Sequence, residues 1–389
     1  MTGRMADRMA EISPFYVMTL LQRAKELEKQ GRDIIHMEIG EPDFPTPAAI
    51  VKAGMDFIQK GDVKYTPASG LPLLREKVAE FYQQQYGVKV AKERIFITPG
   101  ASGAFLLALG ATLNPNEELL MSDPCYPCNS NFVRLFNGKT RFVPVNADND
   151  YQLTAQAIRD SWQSNTKGVI CASPSNPTGT IIKAEVLKQS IEAVNELNGC
   201  FFSDEIYHGL IYDEKATSAL EFSDDVFVIN SFSKNFGMTG WRIGWLIVPE
   251  EFIEATNKLA QNIFIATSTH SQYAALAAFE AEAQQELENR RQELSKRRDF
   301  LYQKLQDLGF EMGCKPQGAF YIYANCAKFS DDSFQFAHDL LEKEGVAITP
   351  GKDFGTNDAC HHLRFAYTTS INKMAEAMTR LETFLEDYK

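Results

Sequence analysis

The chain has 389 residues, a formal net charge of −12, and 44% hydrophobic, 11% aromatic and 23% charged residues. The length predicts about two to three domains with a large core, and the apolar content argues against disorder. The negative charge argues against general binding to nucleic acid or to an anionic membrane, because both need a positive surface. Any anionic ligand must therefore meet a local cluster of positive groups.

The N-terminal sequence MTGRMADRMAEISPF has no apolar core of the kind that a secretory signal needs. No stretch approaches the roughly 20 apolar residues of a membrane span. We therefore expect a soluble, cytoplasmic protein.

Seven cysteines in a chain of this size predict free thiols in a reducing compartment. Cys125 and Cys128 form a CxxC, but no second ligand pair at metal spacing accompanies them, so we expect no metal site.

The first predicted element is a helix over residues 15–30, which ends at Gly31. Residues 40–47 contain three prolines and one glycine, which predict an irregular path and a domain crossing. From about residue 90 to 250, short apolar runs alternate with helical stretches. The predicted strands are 95–98, 118–122, 140–145, 168–172, 200–203, 226–230 and 243–248, and the helices include 102–112, 128–137 and 184–198. This alternation predicts a mostly parallel sheet covered on both faces.

Residues 271–307 carry a long helical pattern with dense charge, which we interpret as a solvated helix face that links two domains. A smaller α+β unit follows it. Its predicted strands are 319–324, 346–349 and 362–367, and its predicted helices are 333–344 and 371–387.

Ligands of open α/β sheets bind beyond the carboxyl ends of the strands, so the residues that follow each strand are the first candidates for a site. Residues 99–104 follow one strand and open a helix, where free N–H groups and the helix dipole suit a phosphate. Loops after later strands supply further polar or aromatic groups. In chain order these are Tyr126, Asn176, Asp204, Tyr207, Ser231, Ser233, Lys234 and Arg242.

Lys234 lies between aromatic and small residues, where desolvation and the nearby Arg242 predict a depressed pKa and a nucleophilic amine. Asp204 follows a buried strand, where a carboxylate needs a partner to offset its desolvation. Each residue alone fits an ordinary structural role. Together, a phosphate loop, an aromatic ring, an amide, a carboxylate, a phenol, an amine and a guanidinium are what pyridoxal phosphate requires.

Six motifs extend this pattern along nearly the whole chain. They are IGEPDFPTP, YTPASGLPLLREKVAEFY, SPSNPTGT, SDEIYHGLIY, SFSKNFGMTGWRIGW and LRFAY. In their order and spacing, residues 13–385 resemble the class I and II aminotransferases of pyridoxal-phosphate fold type I, in the aspartate aminotransferase superfamily. The resemblance implies a large cofactor-binding domain over 46–275, with a mostly parallel seven-stranded sheet between helices. It also implies a smaller α+β domain formed by 1–45 and 276–389.

The resemblance also implies roles at the cofactor. Lys234 would hold pyridoxal 5′-phosphate as an internal aldimine and later move the substrate proton. Asp204 would pair with the pyridine nitrogen, Tyr207 and Asn176 would hydrogen-bond the phenolic oxygen, and Tyr126 would stack on the ring. The phosphate would be bound by Ala101, Ser102, Ser231, Ser233 and Arg242.

Two further implications concern the substrate and a partner subunit. Arg364 would grip the substrate α-carboxylate, helped by Asn176 and the backbone at Gly40, and would couple substrate binding to domain closure. Tyr65 resembles a tyrosine that reaches the phosphate in the neighbouring subunit, which implies a homodimer with shared active sites.

The implied reaction is a ping-pong transfer of an amino group from an L-amino acid to a 2-oxo acid. Some aspartate-using relatives carry a lysine at the position of Ser102, so we expect neutral or aromatic amino acids to be favoured over aspartate. Two alternatives stay open: a β-elimination C–S lyase and an aminotransferase-like ligand-sensing domain. A dinucleotide-binding dehydrogenase is disfavoured, because no GxGxxG follows a predicted strand.

Overall fold

The structure is a computed structural model that describes residues 5–12 and 14–388. The predicted domain segments 1–45 and 276–389 therefore include residues 1–4, Ser13 and Lys389, which lie outside the described residues. The strands are β1 (Ile35–His36), β2 (Ile95–Thr98), β3 (Glu118–Asp123), β4 (Lys139–Pro144), β5 (Thr166–Ala172), β6 (Cys200–Asp204), β7 (Phe227–Ser231), β8 (Gly244–Ile247), β9 (Tyr321–Asn325), β10 (Val346–Ala347), β11 (Thr349–Pro350) and β12 (His362–Ala366).

The α-helices cover the sheets and connect the strands. They are α1 (Tyr16–Lys29), α2 (Ala48–Gln59), α3 (Pro72–Tyr86), α4 (Gly100–Thr112), α5 (Pro127–Leu135), α6 (Ala155–Ser161), α7 (Ala184–Glu196), α8 (Ile253–Ile263), α9 (Thr269–Leu276), α10 (Ala281–Asp307), α11 (Ser333–Glu344) and α12 (Ile371–Asp387). Among the described residues, no helix combines the length and apolar character that crossing a bilayer would need.

The main sheet contains seven strands in the order β2-β8-β7-β6-β5-β3-β4. β8 runs antiparallel to both of its neighbours, and the other neighbouring strands pair in parallel. The prediction of a mostly parallel seven-stranded sheet is thus confirmed. Successive residues such as Phe201 and Phe202 enter separate hydrophobic clusters, because alternate side chains point to opposite faces and both faces are buried.

The second unit is built from chain segments that come before and after the strands of the large sheet. β9, β11 and β12 form an antiparallel sheet, and β1 pairs in parallel with β10 through Ile35 and Val346. One hydrophobic cluster contains side chains from β1, α10, α11 and α12. The boundaries at residues 45 and 275 stay predictions.

Two predicted elements are interrupted. The helical pattern over 271–307 forms two helices, because α9 ends at Leu276, a 3-10 turn follows, and Glu280 adopts an extended conformation with φ −77° and ψ 152°. The predicted strand 346–349 is split at Ile348. β10 and β11 therefore belong to different sheets.

The interpretation of the charged helix α10 as a solvated element is wrong for its central part. The Arg297 and Arg298 side chains are only 5% and 1% exposed. Arg297 pairs with Asp43 at 2.7 Å, and Arg298 pairs with Asp213 at 2.6 Å. Buried guanidinium groups need such partners to offset the loss of water. This part of α10 therefore packs against two distant chain segments and is not surrounded by water.

Candidate active site

A cavity of about 300 Å³ lies beyond the carboxyl ends of β5, β6 and β7. Every predicted site residue except Tyr65 lines this cavity. These residues are Gly40, Ala101, Ser102, Tyr126, Asn176, Asp204, Tyr207, Ser231, Ser233, Lys234, Arg242 and Arg364. The fold thus brings side chains from both the large sheet and the smaller antiparallel sheet to one place, as expected for an open α/β sheet.

The phosphate end of the cavity is formed by the start of α4 and by Arg242. Gly100 has φ +69°, and a Cβ at this position would lie 2.5 Å from Arg242 Nη2. Arg242 Nη1 donates to Ser233 Oγ at 3.3 Å and to the Thr239 carbonyl at 3.0 Å. Because residue 100 is a glycine, the Arg242 guanidinium can approach the free N–H groups at the start of α4. This donor set fits a phosphate.

Asp204 is the last residue of β6 and is buried. Its Oδ1 accepts a hydrogen bond from the Ile206 N–H at 3.3 Å. Burial raises the pKa of Asp204 to about 7, and hydrogen bonds from Ile206 and Asn129, with the charge of Lys234, oppose this rise. A buried carboxylate in this position fits the protonated nitrogen of a pyridine ring.

Lys234 lies close to the backbone at the start of the proline-rich segment. Its Nζ donates to the Gly40 carbonyl at 2.8 Å. Burial, together with the charges of Arg364 and Arg242, lowers the pKa of Lys234 to about 8, and Glu41 opposes this shift. The depressed pKa gives a larger fraction of neutral amine near neutral pH, as a nucleophilic lysine requires.

Arg364 projects from β12 and is held by three acceptors. Its Nη1 donates to Asn176 Oδ1 at 2.9 Å, and its Nη2 donates to Thr349 Oγ1 at 3.1 Å and to the Glu38 carbonyl. Its Nε is buried and has no hydrogen-bond partner among the described residues. A fixed, buried guanidinium with spare donor capacity fits a substrate carboxylate.

Tyr321 is a site residue that sequence reasoning missed. Its hydroxyl lies 3.0 Å from the Tyr207 hydroxyl, and its ring centroid lies 4.3 Å from the Arg364 guanidinium. A Cβ at Gly40 would lie 2.0 Å from the Tyr321 hydroxyl, so this approach requires glycine. Tyr321 reaches the site because β9 pairs with β12. We find no local sequence signal that gives this register.

Sequence reasoning also missed an apolar wall of the cavity, which consists of Phe15, Val17, Met18 and Leu21. Val17, Met18 and Leu21 belong to α1. Phe15 precedes the helix and meets the Tyr126 ring edge-on at 6.2 Å. The helical period is visible in the sequence, but the face that α1 presents to the cavity depends on its tertiary packing.

Tyr65 is not brought to the cavity of its own chain, and it is 81% exposed. Its predicted role with a neighbouring subunit stays a prediction.

Outside the cavity, ligand atoms of Asp358, Cys360 and His361 lie within 4.8 Å of one another. Cys125 of the CxxC is buried, and burial raises the pKa of its thiol to about 12. The expectation of no metal site stays a prediction.

The family model for "aminotransferase class I and II" matches residues 32–381. The chain belongs to this family. Pyridoxal 5′-phosphate is the cofactor of its members. The predicted family, fold type, enzyme class and cofactor are thereby confirmed.

Three proteins that are similar to this chain have names that refer to different substrates. The chain is 38% identical to a (5-formylfuran-3-yl)methyl phosphate transaminase of Methanocaldococcus jannaschii, over 98% of the chain and 99% of the relative. It is 34% identical to a valine–pyruvate aminotransferase of Mycobacterium tuberculosis, over 99% of each chain. The crystal structure of an aspartate aminotransferase from Thermotoga maritima matches 98% of the chain and 100% of its own, with a TM-score of 0.92 and 33% identity.

Proposed function

We propose that this aminotransferase moves the amino group of a neutral L-amino acid, aliphatic or aromatic, to a 2-oxo acid in a ping-pong reaction. The observation that carries the proposal is the placement of Lys234, Asp204 and Arg364 around one cavity with the phosphate-binding start of α4. Bound pyridoxal phosphate supplies an electron sink for the charge that develops at the substrate α-carbon.

Each of these residues has a defined role in this proposal. Lys234 holds the cofactor covalently and, once released, moves the substrate proton through Nζ. Asp204 keeps a proton on the ring nitrogen, because a buried carboxylate stabilises a cation beside it. Tyr207 and Asn176 donate to the phenolic oxygen. Arg364 orients the substrate through its α-carboxylate.

The lining of the cavity supports the preference for neutral side chains. Its cationic side chains within the described residues are Lys234, Arg242 and Arg364, and each has a task at the cofactor or the α-carboxylate. The cavity also contains the acidic residues Glu38 and Glu41. A side-chain carboxylate would therefore meet no free cation there, whereas the apolar wall suits a hydrocarbon side chain.

We also propose a homodimer in which Tyr65 reaches the phosphate of the neighbouring subunit. The chain segment 55–73, which contains Tyr65, exposes four further large apolar side chains: Met55, Ile58, Val63 and Leu73. A segment with this many exposed apolar side chains is typical of an interface. Mixing Tyr65→Phe and Lys234→Ala subunits should give activity above the sum of the two variants, because mixed dimers contain one complete site. Activity equal to the sum would contradict shared sites.

A donor screen tests the reaction and its specificity. Purified protein saturated with pyridoxal phosphate is assayed with norvaline, phenylalanine and aspartate, and with pyruvate or 2-oxoglutarate as acceptor. We expect kcat/KM for the neutral donors to exceed that for aspartate by about tenfold or more. Ser102→Lys is the matched variant, and we expect it to raise kcat/KM for aspartate selectively.

The same screen separates the proposal from the lyase. Release of pyruvate and ammonia from a sulfur amino acid without a 2-oxo acid would favour β-elimination. A preference for aspartate in the unmodified protein would contradict the proposed specificity. The cytoplasmic location stays a prediction from the sequence.

A further inference from the structure

The start of α1 is held by a residue that is distant in the chain. Phe15, the N-cap residue, provides no side-chain cap. The N–H groups of Tyr16 and Val17 instead donate to Asp353, at 2.8 Å to Oδ1 and 2.7 Å to Oδ2. Asp353 is 6% exposed. Both oxygens of one buried carboxylate are thus used on the first two free N–H groups of this helix.

The neighbouring residue Phe354 contacts Arg364, which lies at the same end of the cavity as the apolar wall. The Phe354 ring centroid lies 4.8 Å from the Arg364 guanidinium. The Phe354 carbonyl accepts a hydrogen bond from the Cys125 N–H at 2.8 Å, next to Tyr126 in the chain. Two adjacent residues therefore connect α1, the carboxylate-binding arginine and the cofactor loop.

We propose that Asp353 is a positioning residue that fixes the apolar wall, Phe15, Val17, Met18 and Leu21, against the substrate side chain. This inference rests on the proposed function. Asp353 does not touch the reacting atoms and acts through α1, to which its side chain is hydrogen-bonded. It thereby determines how strongly the enzyme discriminates among neutral amino acids by the length of their side chains.

The effect of losing Asp353 should depend on the substrate. Without the carboxylate, the first N–H groups of α1 lose their acceptors, and the wall is no longer held at one distance from the substrate. Alanine ends at Cβ and gains little from the wall. Each further methylene that packs against a fixed wall should raise kcat/KM by about fourfold. The expected signature is therefore a changed slope along a homologous series.

The rest of α1 has its own anchors, so the variant should fold. Leu20, Ala24 and Leu27 pack with Leu341 and Ala347 in one buried cluster. Val17 begins this buried stripe of α1, three residues before Leu20, whereas Met18 and Leu21 lie to one side of it. Removing Asp353 should loosen the start of the helix without unfolding the domain.

The experiment measures kcat and KM of the pyridoxal-phosphate-saturated enzyme for alanine, 2-aminobutyrate, norvaline and norleucine. In the unmodified enzyme we expect about a fourfold rise in kcat/KM per methylene. Asp353→Ala should reduce this factor to below about twofold, mainly through KM, and should change kcat/KM for alanine by less than about threefold. Asp353→Asn retains one acceptor and should give an intermediate slope.

Thr154→Ala is the control for the loss of a helix cap. Thr154 caps α6, because its Oγ1 accepts from the Ala157 N–H at 3.2 Å, and it does not line the cavity. The slope in this variant should equal that of the unmodified enzyme.

Three results would overturn the proposal: an unchanged slope in Asp353→Ala, an equal loss for every donor, or a flat series in the unmodified enzyme. If Asp353→Ala does not fold, an unchanged slope in Asp353→Asn, or an equal loss for every donor in that variant, would overturn the proposal. Failure of the proposed function is distinguishable, since the unmodified enzyme would then transaminate none of these donors.

Discussion

The two ends of the active-site cavity are held in different ways. At the cofactor end, Asp204 and Ser231 are the last residues of β6 and β7, and Lys234 follows closely, so one sheet fixes all three. At the substrate end, Arg364 is held by acceptors from three separate segments, and the apolar wall is held through Asp353. We therefore expect the loss of Lys234 or Asp204 at the cofactor end to affect all donors alike. Changes to the wall should separate the donors.

Lys234→Ala should have the largest effect. Removing the amine removes both the covalent anchor and the group that moves the proton, so kcat should fall by at least about 10³-fold. The loss should be the same for alanine and norleucine. Steady-state assays of both donors measure it, with cofactor retention followed by absorbance. Residual activity within tenfold of the unmodified enzyme would contradict the assignment.

Asp204→Asn should lower kcat by about 10²- to 10³-fold for every donor, because the ring nitrogen would lose its anionic partner. The same change should stabilise the cofactor-free protein. Burial raises the pKa of Asp204 from its ordinary 3.8 to about 7, so the folded state holds a proton that the unfolded state releases. Ionised Asp204 therefore opposes folding increasingly as pH rises from about 4 to 7.

Thermal unfolding of the cofactor-free protein tests whether Asp204→Asn stabilises the fold and how this effect depends on pH. The gain in Tm for Asp204→Asn should be about 2 °C or more above pH 7 and should vanish near pH 4. A lower Tm for the variant at neutral pH would contradict it.

Arg364→Ala should raise KM for every donor by about 100-fold, because a charge-assisted, bidentate contact with the α-carboxylate is lost. The slope of kcat/KM along the homologous series should stay constant, unlike in Asp353→Ala. Arg364→Lys retains the charge without the fork geometry and should recover only part of the loss. A changed slope in Arg364→Ala would show that the two parts of the substrate end do not act separately.

The two ends of the cavity also differ in how much of them the sequence could predict. Asp204, Ser231 and Lys234 follow apolar runs that end at one edge of a parallel sheet, so their proximity follows from a general rule. Tyr321 reaches the site only through the β9–β12 register, and the apolar wall only through the packing of α1. These are long-range contacts without a local pattern. Arg364 was predicted from the family motif LRFAY and not from its own strand.

The smallest predicted effect is a pH dependence at Lys234. Burial lowers the pKa of its amine from 10.5 to about 8, so the neutral amine dominates above that pH. The rate of pyridoxal phosphate capture by the cofactor-free protein should rise with pH, with its midpoint at about pH 8 and a plateau above that pH. Glu41 raises this pKa, so Glu41→Gln should move the midpoint to lower pH. A midpoint near 10, or a shift to higher pH, would contradict the assignment.

A single half-reaction tests the central claim most directly. The cofactor-saturated protein is mixed with norvaline in the absence of any 2-oxo acid, and 2-oxopentanoate is measured over time. We expect a burst of about one equivalent per active site that then stops and resumes when pyruvate or 2-oxoglutarate is added. The same burst with aspartate should be about tenfold slower or more. Continuous product formation without an acceptor would contradict the proposed transamination, and a faster burst with aspartate would contradict the proposed specificity.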